Sequence, residues 1–447
     1  MKNQIKLSDH FNFRRLIRFT LPSVGMMVFN SIYCVVDGFF VSNFAGKDPF
    51  IAVNLIFPML MILATVGFMF GTGGSALVAK TFGEGKRELA NRFFSLFVYV
   101  SAVLGVLFAV LGLVFIRPIA AMLGAEGQIL EYAVLYGRIL LLALPFNVLQ
   151  LVFQSFFVTA ERPQLGLFVT VSSGVTNMVL DAVLVILLPE PYKLAGAAVA
   201  TAMSQVVGGL LPLVYFSRKN TSILRLGRTS WDCRALLKAV INGSSEFMSN
   251  VSMNLVGILY NIQLLKYAGE DGVAAYGVMM YVSYIFAATF IGYSIGVAPV
   301  VGYHDGARNC EELRGLLRKS VILIGTLGVG MTVVGLVLAT PLSRIFVGYD
   351  ENLLAMTTVG FRIFSLSFVL MGYAIFSSCF FTALNDGVTS AIISFLRTLV
   401  FQAAAVMILP MLWGLDGIWY SIVVAELMAV IFSAIFLWVK RKKYGYL

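Results

Sequence analysis

Two aspartates stand in stretches otherwise too apolar to carry charge: Asp37 in IYCVVDGFFVSNFAG (32–46) and Asp181 in TNMVLDAVLV (176–185). An ionised carboxylate at the centre of a membrane helix costs about 2.5–3.5 kcal/mol, so one that is kept there serves chemistry or a partner. Tyr33 lies one helical turn before Asp37 and Asn177 one turn before Asp181, so each shares the face of its aspartate. Thr201, in AGAAVATAMSQ, offers a hydroxyl from a third apolar stretch. Two carboxylates close together in a low dielectric do not both stay ionised without a cation, so such a group exchanges protons. With amide, hydroxyl and backbone oxygens beside them, the same atoms are hard ligands for a small cation such as Na⁺. A lone Asn or Thr can equally be a hydrogen bond between helices. Two carboxylates at matched depth are a costly way to make that bond.

Matched depth depends on the elements that carry these residues. The chain is 59% hydrophobic and 12% charged, with mean hydropathy +0.90. A soluble domain carries roughly twice that charge. Crossing a bilayer takes about 20 apolar residues per helix. Twelve stretches meet this, near 16–42, 51–79, 92–116, 134–158, 164–188, 194–217, 235–264, 273–301, 316–340, 358–383, 388–412 and 415–438. Spans 1 and 5 run in one direction and span 6 returns, which brings Asp37, Asp181 and Thr201 to the outer half of one bundle. The polar, basic start has no short apolar core before a small-residue cleavage site, so no cleaved signal peptide is expected.

The net charge of +10 is a matter of topology. With the N-terminus inside, 25 of the 32 Lys and Arg fall in cytoplasmic segments, from Lys2 to Lys443 and including Arg397. That bias sets both termini in the cytoplasm and argues against a nucleic-acid partner. The four cysteines stand singly beside only two histidines, so neither a zinc nor a redox site is expected, and no cofactor. FGTGGSA (70–76) lacks the ending of a phosphate loop and reads as close helix packing. No nucleophile–base pair suggests an enzyme.

The chain repeats itself. NFAGKDPFIAV (43–53) recurs as KYAGEDGVAAY (266–276), FGEGKRE (82–88) as YHDGARN (303–309), and Phe156–Phe157 as Phe380–Phe381. An even number of spans per half gives parallel repeats, the architecture of transporters whose two lobes rock about a central site. The expected fold is therefore an all-α polytopic membrane protein. Its 12 transmembrane helices form two six-helix lobes related by a pseudo-two-fold axis along the membrane normal. The lobes span 1–217 and 235–447, joined by a cytoplasmic linker at 218–234. On these offsets Asp37 corresponds to Tyr260, Asn177 to Phe401 and Asp181 to Ala405. The second half has dropped the carboxylates, so they are not needed by the fold.

Over essentially its full length the chain resembles the multidrug and toxic compound extrusion (MATE) family. Pro22 fifteen residues before Asp37, VVDGFFVSNFAG, the Asn177-x-x-x-Asp181 pair, GAAVAT (196–201) and the two basic loops carry the likeness. The Asn–Asp pair with the span 1 Asp resembles the DinF-like branch. The resemblance implies that Asp37, Asn177, Asp181 and Thr201 are the coupling-ion ligands, for H⁺ or Na⁺, with Tyr33 beside them and Pro22 permitting a bend of span 1. Ser42 stands where a glycine is common. Span 7 opens NGSSEF without the usual proline and carries Glu246, whose span 10 partner in the NorM-like branch has no counterpart here. Glu246 and Glu426 are thus candidate auxiliary acids that could pair with each other.

The function expected from these features is cation-coupled antiport, exporting organic, cationic or aromatic compounds by rocker-type alternating access. The setting is the plasma (inner) membrane, the lipid bilayer is the surrounding partner, and a monomer is expected. Two alternatives are a lipid-linked precursor flippase of the same superfamily, which would want a basic cavity, and a channel, which would want a continuous polar pore.

Overall fold

The computed structural model describes residues 5–348 and 350–446, apart from the side chains of Phe39, Ser42, Asn43 and Pro191. Lys2 and the Ser42 side chain therefore lie outside the described residues. With no water in the bilayer core, every backbone polar group must be satisfied within its own segment, and apolar runs this long do so as helices. They are α1 (Phe13–Phe40), α2 (Lys47–Gly83), α3 (Arg87–Met122), α4 (Gly127–Thr159), α5 (Pro163–Leu187) and α6 (Glu190–Ser217). Then follow α7 (Cys233–Gly306), α8 (Cys310–Val347), α9 (Glu351–Ser365), α10 (Phe368–Ala383), α11 (Gly387–Phe395) and α12 (Gln402–Tyr444). Side-chain caps start the helices that begin in polar loops. Asn12 accepts from Arg15 N–H, Asp232 from Arg234 and Ala235, and Asp350 from Asn352 and Leu353.

Two helices are each two spans. Gly269 (φ +64°) breaks α7 and Gly414 (φ +57°) breaks α12, at left-handed backbone conformations that side chains disfavour. The pair α9 and α10 is one span bent by 48°. Among the described residues this makes twelve crossings, six in each half. The sequence-derived spans match these helices to within two residues where they overrun them, and the tight turns at Gly269 and Gly414 mark the expected gaps between spans 7 and 8 and between 11 and 12.

Both termini lie on one face, and there the lobes lock together. Lys80, near the end of α2, pairs with Asp305, near the end of α7, at 2.7 Å. A Cβ on Gly83 would strike the Tyr303 carbonyl, and one on Gly306 the Lys80 carbonyl, so backbone packs directly on backbone across the lobes. The segment before α1 straps over the same seam. Leu7 N–H donates to Glu161 Oε1 (2.8 Å), and Phe11 N–H to Glu312 Oε1 (2.9 Å). His10 Nδ1 sits 2.6 Å from Glu312 Oε2, and both Leu7 and Phe11 are buried. The chain end is held by Asp386, the cap of α11, which accepts from the Tyr444 hydroxyl (2.9 Å) and lies 3.2 Å from Lys440 Nζ. Burial works to raise that carboxyl, but the hydroxyl, Thr389 and Lys440 prevail and hold it below the usual range.

Candidate functional site

The four expected ligands meet between α1, α5 and α6. The Thr201 hydroxyl lies 3.2 Å from Asp37 Oδ1 and 3.4 Å from Asn177 Nδ2, and it also reaches the Ala197 carbonyl at 3.1 Å. Asn177 and Asp181 are completely buried, whereas Asp37 and Thr201 are half-buried. Asp37 and Asp181 lie within each other's electrostatic reach. Gly174 lets α1 approach α5 here, since a Cβ would press on the rings of Phe29 and Tyr33. Tyr33, one turn deeper on α1, faces Gln150 of α4 and still feels the charge of Asp37.

Both oxygens of Asp181 and the Oδ1 of Asn177 are buried without a hydrogen-bond partner. Buried polar atoms are nearly always satisfied, and three acceptors left over at one spot want a cation or a proton. Acceptors without donors, flanked by a second carboxylate and a hydroxyl, fit a small hard cation or H⁺.

Reasoning from sequence missed two contributors. Tyr136 of α4 is 1% exposed and close enough to feel both aspartates and the Thr201 hydroxyl. Beneath, the Ser173 hydroxyl donates to the Ser204 carbonyl (2.7 Å) and faces Gln150 at 3.5 Å, which carries the polar layer toward the terminal face. Among eighteen tyrosines a single one carries no sign of depth, so Tyr136 had no legible signal. Pro22 is buried in α1, which runs through it as one helix in this structure.

The second lobe is built differently at the corresponding place. Tyr260 is buried with its hydroxyl unpartnered and stacks on Tyr276 at 5.0 Å and 6°. Phe401 and buried Ala405 bring no polar group. Glu426 and Glu246, which could have paired with each other, do not. Glu426, wholly buried, is gripped by Arg397, whose Nε lies 3.1 and 3.0 Å from the two carboxylate oxygens and whose Nη2 lies 2.9 Å from Oε1. Arg397 also does not stand at the cytoplasmic end of its span, where the topology count had it. It stands ten residues past the start of α11, about 15 Å along the helix. A π-helical turn at Leu396–Phe401 carries it there beside α12. An acid so deep needs a counter-charge, and Arg397 supplies it.

Glu246 is left half-buried on α7, close to Cys379 of α10 rather than to another acid. Glu246→Gln is expected to retain a substantial fraction of transport in cells, as measured by efflux of a fluorescent dye. Complete loss in a normally folded protein would move the essential acid to the second lobe.

Among the described residues, an all-helical bundle of twelve crossings with a two-carboxylate pocket in one lobe is the architecture of a multi-pass membrane protein. The MatE family model matches twice, over residues 22–183 and 247–408, and the chain belongs to that family. It is 27% identical to the multidrug export protein MepA of Staphylococcus haemolyticus, covering 95% of this chain and 93% of the relative. A crystal structure of MATE in complex with MaL6 superposes with TM-score 0.93 at 23% identity, over the full length of both chains. The outward-facing conformation of a multidrug resistance MATE family transporter of the MOP superfamily gives 0.92 at 22% identity, covering 98% of each chain.

Proposed function

We propose that the protein is a cation-coupled antiporter that exports organic, cationic or aromatic compounds across the plasma membrane, with H⁺ or Na⁺ taken up at Asp37, Asn177, Asp181 and Thr201. One observation carries the reading: the sealed, unpartnered oxygens of Asp181 and Asn177 beside the half-buried Asp37 and Thr201. A cation entering through Asp37 satisfies them and removes the cost of burying charge. Tyr33 and Tyr136 border the pocket and orient its hydroxyl and carboxyl groups. Uptake favours bending of α1 near Pro22 and closure of the first lobe, which expels the drug. The drug is then taken up when the cation has left, because each ligand shifts the equilibrium only by its differential affinity for the two states.

Alternating access requires the terminal face to open in turn, so the Lys80–Asp305 pair and the strap at Leu7–Phe11 must part in each cycle. The basic bias of the loops supports a cytoplasmic position for this face, and the protein works as a monomer. The names of the MepA relatives support multidrug compounds as cargo. A flippase is disfavoured because the deep arginine is neutralised by Glu426. A channel is disfavoured by backbone-tight packing across the terminal face.

The test uses proteoliposomes preloaded with a cationic dye. An inward H⁺ or Na⁺ gradient should speed dye exit, and an ionophore that collapses the gradient should return it to the leak rate. Dye exit indifferent to both gradients would refute coupling.

A further inference from the structure

Beyond the transport site, Arg87, Arg92, Arg225 and Arg228 line a single cavity of about 310 Å³ on the terminal face, with Glu88 the one acid in its wall. Among the described residues, the guanidinium groups of Arg87, Arg92 and Arg228 make no ion pair and no hydrogen bond. Arg225 spends one N–H on the Asn220 carbonyl at 2.9 Å. Four like charges gathered around a single acid repel, so the cluster persists because the backbone fixes it. The segment after α6 is fastened along the first turns of α3. Asn91 Oδ1 accepts from Arg225 N–H (2.8 Å), Ser95 Oγ accepts from Gly227 N–H (3.0 Å), and the Tyr99 hydroxyl donates to the Gly227 carbonyl (3.1 Å). Thr229 Oγ1 donates to the Arg92 carbonyl (2.9 Å). The cavity is therefore preformed.

Its position selects the ligand. The cavity lies at one end of α3, whose Val103, Val106, Val110 and Val114 are exposed and so face the hydrocarbon. Trp231, 71% exposed, stands a few residues along the same segment, as aromatic rings do at the headgroup level. The geometry points to a binding site for the phosphate of an anionic glycerophospholipid headgroup, its oxygens held by forked guanidinium groups and its acyl chains lying along α3. A choline headgroup would bring its own cation against the arginines. Bound lipid would clamp the connector between the lobes onto α3.

The experiment places the full-length protein in nanodiscs doped with phosphatidylglycerol or phosphatidylcholine, each brominated high on the acyl chain. The Trp231 signal is taken as the difference between wild type and Trp231→Phe. Brominated phosphatidylglycerol should quench it several-fold more than brominated phosphatidylcholine at equal mole fraction. Arg92→Gln/Arg228→Gln should erase that preference, while Arg314→Gln/Arg318→Gln, exposed elsewhere on the same face, should leave it. Equal quenching by both lipids, preference retained in the Arg92/Arg228 variant, or preference lost equally in the Arg314/Arg318 control would overturn the site. Displacement of the lipid by millimolar inorganic phosphate would assign the cavity to a soluble phosphate compound and overturn the lipid assignment.

Discussion

Asp37→Asn is expected to insert and fold as the parent protein does and to reduce gradient-driven efflux to the level of cells without the transporter. The substitution keeps the size of the side chain and an oxygen for the Thr201 hydroxyl, 3.2 Å away in the parent. It removes a carboxylate whose burial is costly on the scale of about 2.5–3.5 kcal/mol, so stability should be equal or slightly better. What it destroys is the exchangeable charge. The pocket then stays in its neutral form with or without a cation outside, and the cation loses the differential affinity through which it moves the equilibrium. Asp181→Asn should act similarly, because Asp181 supplies two of the three unpartnered oxygens. Tyr260→Phe, at the repeat position of Asp37, removes only an unpartnered hydroxyl and should be mild. Dye efflux from cells, with expression checked by detergent size-exclusion, reads all three. Wild-type efflux by Asp37→Asn under a gradient would make the carboxylate merely structural.

The largest loss of stability is expected from Arg397→Met. Glu426 is wholly buried and both its oxygens are spent on the guanidinium. Removing one partner of a buried pair strands the other charge, at a cost of about 3–5 kcal/mol, whereas replacing both by apolar residues of similar volume is often neutral or better. Arg397→Met/Glu426→Leu should therefore melt well above Arg397→Met alone and close to the parent. Thermal unfolding of the purified protein in detergent distinguishes the cases. A single variant as stable as the parent would mean that the pair contributes nothing to the second lobe. Transport should survive in the double variant, since neither residue belongs to the cation pocket.

The pocket of the first lobe was legible because a membrane makes polarity conspicuous. Against uninterrupted apolar runs, Asp37 and Asp181 needed only the direction of each span to be placed at one depth, and the four-residue spacing fixed Asn177. The twelve crossings followed from length for the same reason. Arg397 was misplaced, and its pairing with Glu426 missed, because depth was judged from the ends of a hydropathy stretch. Those ends say nothing about the π-helical turn that aims Arg397 at α12. The strap at Leu7–Phe11 was illegible for the opposite reason. In a polar terminal segment, Leu7 and Phe11 look ordinary until the chain folds back over the seam and buries them. Tyr136 reaches the site only through the packing of α4 against its neighbours, which no spacing within α4 encodes.

The exchange at the heart of this mechanism is read most directly by adding a cationic dye to purified protein in weakly buffered detergent solution. A pH indicator and a sodium electrode then record the cation set free. Wild-type protein should release H⁺ or Na⁺ in step with dye binding, and Asp37→Asn/Asp181→Asn should release neither. Dye binding by the wild type with no cation released, or equal release by the double variant, would contradict the exchange.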